Sequence, residues 1–157
     1  MLAGLVIVMP SMCHAQAKCP WINEATARGI LGGDVTLTAK VGDRGEGICE
    51  YSRQQGAVVR QLRVAVNIMT DISKQFPTYL AQCPLKSNPL RAIGNEAVAC
   101  SSEGKGRASA EVVVGRVRDQ AFVVSLTSRS GDDPSMTPEK RRQKVNLVAE
   151  QVAGILF

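Results

Sequence analysis

The most regular pattern in the chain is an alternation of apolar and polar side chains in its first half. Leu62, Val64 and Val66 are apolar, whereas Arg63 and Asn67 between and beyond them are polar. A period of two is typical of a strand that buries one face and exposes the other. The pattern therefore predicts an antiparallel sheet with one face in contact with solvent.

Five other segments have the composition of strands, because each is rich in apolar or β-branched residues and is bounded by turn-forming residues. They span residues 35–39, 48–52, 96–100, 110–118 and 121–128. The last two lie close enough in the chain to form a hairpin about Asp119 and Gln120.

Two segments in the first half of the chain are predicted to be short helices. Residues 20–31 are followed by Gly32, which can adopt the left-handed conformation that ends a helix. Residues 71–82 place apolar side chains on one helical face, but Pro77 lacks a backbone N–H and predicts a kink or a late start.

The last helix has the clearest signals. Thr137 is a favourable cap and Pro138 suits the first helical position. An apolar stripe follows, formed by Val145, Val148, Ala149, Val152, Ile155 and Leu156.

The predicted order is helix, three strands, helix, three strands, helix (α-βββ-α-βββ-α). Strands grouped between helices predict an α+β fold, in which an antiparallel sheet has helices packed on one face. Each half contains a cysteine-bearing strand, a hairpin and a helix. An internal duplication is therefore a hypothesis.

The first residues have the pattern of a secretory signal peptide. Leu2–Met9 is apolar, and Ala15-Gln16-Ala17 has the small residues that signal peptidase accepts. We expect cleavage after Ala17, which leaves residues 18–157 as a single secreted or periplasmic domain without a transmembrane segment. The alternative is a buried N-terminal strand.

Cleavage would remove Cys13 and the single histidine, His14. The four remaining cysteines are expected to form disulfides, because an even number in an exported chain indicates oxidative pairing. Of the three possible pairings we favour Cys19–Cys49 and Cys83–Cys100, since each joins segments expected to be neighbours. A zinc site is the alternative, but the cysteines lack Cys-x-x-Cys spacing and no histidine would remain. We predict no metal and no cofactor.

Charge and composition are compatible with an anionic partner. The chain of 157 residues has a net charge of +5 and only 4% aromatic residues. A basic exported protein can attract an anionic envelope polymer or an acidic protein, although the charge can also serve solubility alone. Nucleic acid is disfavoured, because export separates the protein from it and stacking side chains are scarce.

Catalytic patterns are weak. Without a mature histidine, a Ser-His-Asp arrangement is excluded. Ser102-x-x-Lys105 matches a pattern of penicillin-recognising enzymes, but it falls in a glycine-rich turn and no Lys-Thr-Gly follows. Asp132 and Asp133 lack calcium-loop spacing.

Basic residues are the candidate binding contacts. The densest group lies near the start of the last helix, and two more arginines are predicted on the exposed sheet face. These residues are Lys140, Arg141, Arg142, Lys144, Arg60 and Arg63. The alternative interpretation is an ordinary solvated surface.

Several short motifs resemble those of a bacterial family. They are Cys19-Pro20-Trp21, Leu31-Gly32-Gly33, Cys49-Glu50-Tyr51 and Ile93-Gly94-Asn95-Glu96-Ala97. Together they are similar to small secreted or lipid-anchored cell-envelope proteins of unknown function, such as the domain of many actinobacterial envelope lipoproteins. The resemblance implies an α+β fold and an envelope location, but no catalytic residues. This chain lacks the small residue that a lipid-attachment site needs before its cysteine.

The function predicted from these observations is that of a non-catalytic envelope binding module. Its partner would be a protein, an anionic polymer or a small ligand. Two alternatives remain. One is an inhibitor of a secreted hydrolase that inserts the loop 84–91, and the other is an exported hydrolase that uses carboxylates such as Glu46 and Glu50.

Overall fold

The computed structural model describes residues 18–83, 87–103, 108–129 and 133–157. The predicted signal peptide, with Cys13 and His14, lies outside the described residues. The elements are α1 (Glu24–Leu31), β1 (Thr36–Val41), β2 (Gly47–Gln55), β3 (Val58–Ile68), α2 (Ile72–Leu80), β4 (Asn88–Leu90), β5 (Glu96–Glu103), β6 (Ala108–Val117), β7 (Gln120–Arg129) and α3 (Pro138–Leu156).

The strands form one seven-stranded sheet in the order β1-β2-β3-β7-β6-β5-β4, and every neighbouring pair is antiparallel. Its central pair is β3 and β7, in which Leu62 faces Leu126 and Val64 faces Val124. The predicted α+β class is therefore confirmed.

One face of the sheet, here called the inner face, carries the main core. Alternate residues of β3 and β7, such as Val64 and Phe122, pack there against α1 and α3. The predicted stripe of α3 supplies buried Val145, Val148 and Val152 to this core. Burial of these aliphatic side chains supplies most of the driving force for folding.

The second face, here called the open face, is covered only in part, by α2. Phe76 of α2 and Met69 pack there against Val112 and Val114 of β6. This placement differs from the prediction that the helices share one face. The physical reason is the run from Val112 to Val114, which is apolar at every position and so needs cover on both sides of its strand.

Helices α2 and α3 begin within one residue of the predicted start, whereas α1 begins at Glu24 rather than at the predicted residue 20. The side chains of Asn23, Asp71 and Thr137 accept hydrogen bonds from backbone N–H groups of α1, α2 and α3 respectively. Gly32 ends α1 in the left-handed conformation, with φ of 85°. Helix α2 begins five residues before Pro77 and contains it, so the proline does not delay the start.

The two halves of the chain differ in structure. Cys49 lies on the middle strand of its three-stranded meander, whereas Cys100 lies on the first strand of its own. Helices α2 and α3 lie on opposite faces of the sheet. In addition, β4 forms where the sequence predicted only a proline-bearing loop. These elements are not equivalent, so they lend no support to an internal duplication.

Both predicted disulfides are confirmed. Cys19–Cys49 joins the segment before α1 to β2, with 5.8 Å between the Cα atoms. Cys83–Cys100 joins the end of α2 to β5, with 5.5 Å between the Cα atoms. Paired cysteines are typical of proteins in oxidising compartments. No helix in the described part of the chain is long and apolar enough to cross a membrane.

Candidate functional site

Beside α2, the open face forms a groove with a volume of about 520 Å³. Strands β3, β6 and β7 supply most of its lining, with Ile48 of β2 and Ser102 of β5. Tyr79 of α2 and Gln82 just after it border the groove. The groove exists because α2 is only nine residues long and leaves part of the sheet uncovered. Its volume is in the range of pockets that bind small molecules.

Arg63 is the charged side chain among the described residues that line this groove. It is exposed, on β3, between Glu50 of β2 and Ser125 of β7 in the cross-strand register. The Glu50 carboxylate accepts a hydrogen bond of 2.8 Å from the side chain of Gln61. No described carboxylate forms an ion pair with Arg63, so its guanidinium is available to a ligand.

The remainder of the groove combines hydroxyl groups and the amide groups of Asn67 and Gln82 with apolar side chains. Ser125 and Thr127 follow one another on the open face of β7. Ala65, Val112 and Val123 line the same groove and present methyl groups to it. The arrangement can bind a ligand that has a polar end and an apolar body.

A second groove, of about 510 Å³, lies between the start of α1 and the first residues of β1. Ile22 and Leu37 give it an apolar lining, and Lys18 lies at its border. Tyr51 also lines it, but its hydroxyl donates a hydrogen bond of 2.7 Å to the Ile22 carbonyl. Burial raises the pKa of this hydroxyl above its usual value, so Tyr51 has a structural role.

Arg60 does not lie on the exposed sheet face, where it was predicted; the structure places it on the inner face, buried. Its Nε and Nη2 donate hydrogen bonds of 2.7 and 2.8 Å to the two carboxylate oxygens of Asp133. Hydrogen bonding from Arg60 is the main reason that the pKa of Asp133 is lowered to about 2. The prediction was wrong because Arg60 shares its parity with inward-facing Leu62 and Val64.

The basic residues of the last helix do not form one surface. Arg141 is buried and donates a hydrogen bond of 2.6 Å to the Met136 carbonyl. Lys144 donates to carbonyl groups at the end of α1, and burial lowers the pKa of its ammonium group. Arg142 lies 3.6 Å from Glu111, and Lys140 is exposed.

These contacts explain why cations are needed near the inner face. The Leu31 carbonyl at the end of α1 accepts hydrogen bonds from both Arg53 and Arg60, and Lys144 donates to the carbonyls of Gly29 and Ile30. Carbonyl groups in the last turn of a helix lack partners within the helix and carry a partial negative charge. These cationic side chains therefore supply the hydrogen-bond donors that the last carbonyl groups of α1 lack within the helix.

The candidate carboxylates Glu46 and Glu50 and the buried Glu111 do not form one cluster in the described part of the chain. Glu111 is buried on the inner face, where the Ser101 hydroxyl lies 2.9 and 2.8 Å from its two oxygens. The Glu50 carboxylate accepts a hydrogen bond from the Gln61 side chain, and the Glu46 carboxylate lies 3.5 Å from the Arg44 guanidinium. Each of these carboxylates has a partner within the protein.

Two further sequence patterns extend beyond the described residues. Ser102 lines the groove on β5, but Lys105 lies outside the described part of the chain. Asp132 likewise lies outside it, and Asp133 is paired with Arg60. Among the residues that the structure describes, no group of three or more His, Cys, Asp or Glu side chains is placed to hold a metal ion.

The alternation in β3 predicted an exposed Arg63, but the residues around it were not predicted. Ser125 and Thr127 alternate with apolar Val124 and Leu126, and this alternation was a signal that their strand has a polar face. Tyr79 belongs to the predicted helix over residues 71–82, and the sequence did not show that it is half-buried and lines the groove. The pairing of β3 with β7 brings these residues together, and no local pattern predicts that long-range register.

Neither a protein-family model nor a curated protein matches this chain.

Proposed function

We propose that this protein is an exported, non-catalytic binding module of the cell envelope that holds its ligand in the groove beside α2. The observation that carries the proposal is the groove on the open face, with Arg63, which forms no ion pair with a described carboxylate, among its lining residues. A solvent-facing cavity of this size is in the volume range of small-ligand sites.

Export is supported by two independent features. The first residues have the apolar run and Ala-x-Ala ending of a secretory leader. The two disulfides suit an oxidising compartment such as the periplasm or the outside of the cell.

A binding role is favoured over hydrolysis by the position of the acidic groups. Among the described residues, the buried carboxylates of Asp133 and Glu111 are on the inner face, away from the groove, and are held by Arg60 and Ser101. A general acid or base must reach its substrate, so carboxylates held in this way suit a structural role.

Native mass spectrometry can test the proposal on the exported, fully oxidised protein. We expect the protein to retain a small ligand from an extract of envelope metabolites. Ala65→Trp, which fills the groove, should abolish the retained mass. Thr38→Trp, on exposed β1 of the same sheet face, should retain it. Equal retention by both variants would contradict the groove as the site, and an intact N-terminus on the mature protein would contradict export.

A further inference from the structure

We infer that the groove beside α2 binds a small amphiphile with a single anionic group, which Arg63 holds while the apolar body lies along the sheet. This inference rests on the proposed function and deepens it by naming the class of ligand. Its basis is the distribution of charge, hydroxyl groups and methyl groups across neighbouring strands of the open face.

The anionic group has one favourable position. Glu50 lies next to Arg63 on the β2 side and repels an anion, whereas Ser125 lies next to it on the β7 side and has a hydroxyl donor. Thr127 supplies a second hydroxyl two residues further along. A carboxylate, sulfonate or phosphate placed between Arg63 and Ser125 would accept charge-assisted hydrogen bonds, which are stronger than neutral ones.

Apolar side chains next to this position, beside the amide groups of Asn67 and Gln82, provide a surface for the apolar body of the ligand. Val112 pairs with Ser125 and so brings an apolar side chain directly next to the proposed anion position. Val123 and Ala65 face one another in the next row of the sheet, and Tyr79 of α2 borders the groove beside them. These side chains lose contact with water when an apolar body covers them, which favours binding.

The same distribution argues against a polyanion. A polymer with repeated negative charges is held by several cations along its length, as phosphate backbones are. The described lining of the groove offers one guanidinium, with the carboxylate of Glu50 beside it. A ligand with one negative charge matches this arrangement.

Two dyes of nearly equal shape test the inference. The first, 8-anilinonaphthalene-1-sulfonate, has an aromatic body with one anionic group, and the second, N-phenyl-1-naphthylamine, has the same body without the charge. Fluorescence titration of the oxidised protein should show saturable binding of the sulfonate. Arg63→Gln should weaken that binding about 10-fold, the usual effect of losing a hydrogen bond to a charged group, and should leave the neutral dye unaffected.

Three further variants and measurements complete the test. Lys40→Gln removes the same charge from exposed β1 of the open face and should leave both titrations unchanged. Ala65→Trp should abolish binding of the sulfonate, which excludes the second groove near Lys18 as its site. Near-ultraviolet circular dichroism of each variant must match the wild type, because loosely packed states also bind this dye.

Each outcome decides between the two proposals. Equal affinity for both dyes, with no effect of Arg63→Gln but a loss in Ala65→Trp, would overturn the anionic ligand class and keep the groove as a binding site. Binding of the sulfonate that survives Ala65→Trp would place it elsewhere and overturn the inference. Failure of both dyes to bind would also overturn the inference, while the envelope extract tests the proposed function independently.

Discussion

Arg60 on β3 and Asp133 before α3 form a two-pronged ion pair, with distances of 2.7 Å from Nε to Oδ2 and 2.8 Å from Nη2 to Oδ1. The Asp133 side chain is only 6% exposed. Arg60 also donates to the Leu31 carbonyl, so one guanidinium links β3, the end of α1 and the segment that leads into α3. The pair therefore contributes to the packing of the inner face.

This pair predicts an acid-dependent loss of stability. The pKa of Asp133 is about 2, against an ordinary value of 3.8, because hydrogen bonding from Arg60 favours the charged form. Since the folded pKa lies below the unfolded one, the stabilisation is complete above the unfolded value and is lost as the pH falls from 3.8 towards about 2. The free energy of unfolding that is lost over this pH range is about 2 kcal/mol.

Urea unfolding between pH 7 and pH 2 can measure this loss in the wild type and in Asp133→Asn. At neutral pH the variant should lose about 3 kcal/mol, because Arg60 stays buried without its partner. That difference should narrow as the pH falls and the wild-type carboxyl group gains a proton. Asp34→Asn is a suitable control, because the Asp34 side chain is 96% exposed. A difference that stays constant with pH would show that the charge of Asp133 is not the cause.

Lys144 and Lys140 provide a matched pair on one helix. Lys144 donates hydrogen bonds to the carbonyls of Gly29 and Ile30, whereas Lys140 is exposed. Lys144→Met should lower the free energy of unfolding by about 1.5 kcal/mol, since it leaves carbonyl groups at the end of α1 without a charged donor. Lys140→Met should change it by less than about 0.5 kcal/mol. Equal effects of the two substitutions in urea unfolding would contradict a specific role of Lys144.

The two disulfides should affect stability alike but ligand binding differently. Replacing either pair with alanine should cost about 3 kcal/mol in unfolding free energy, because each closes a loop of moderate length. Cys83–Cys100 anchors the end of α2, next to Tyr79 and Gln82 of the groove, whereas Cys19–Cys49 lies on the inner face. Only loss of Cys83–Cys100 should weaken binding of the anionic dye under folded conditions. Similar weakening by both replacements would indicate a global effect.

Gly115 is required by the ring of Phe122. The two residues are cross-strand partners, and a Cβ atom at position 115 would lie 2.3 Å from Phe122 Cζ. Gly115→Ala should therefore destabilise the protein by about 2 kcal/mol through overpacking. Gly154→Ala in α3 has open space around it and should be neutral or slightly stabilising. Thermal unfolding of both variants measures this difference in stability. Equal stability of the two variants would show that the ring of Phe122 can move aside.

The sequence predicted those features of the fold that depend on local pattern. Alternation in β3 indicated which side chains are buried, and Thr137 with Pro138 marked the start of α3. The disulfide pairings followed from the expected neighbourhood of their segments. These signals act over a few residues, where backbone preference and side-chain periodicity decide the outcome.

The features that were missed depend on contacts distant in the chain. Placement of α2 on the open face follows from the two-sided apolar strands β6 and β7, which only become neighbours of α2 in the folded sheet. The roles of Arg60 and Arg141 follow from partners on other elements. The density of basic residues along α3 therefore predicted a larger exposed basic surface than the structure has. Arg63 was predicted correctly to be exposed, because the alternation of β3 alone places it on the open face.

Methyl NMR gives the most direct test of the claim that the ligand lies in the groove on the open face. Val112 and Val123 line the groove, whereas their chain neighbours Val113 and Val124 are buried on the inner face. On titration with 8-anilinonaphthalene-1-sulfonate, the methyl signals of Val112 and Val123 should shift while those of Val113 and Val124 remain in place. Shifts at Leu37, in the second groove, with none at Val112 and Val123 would contradict this claim.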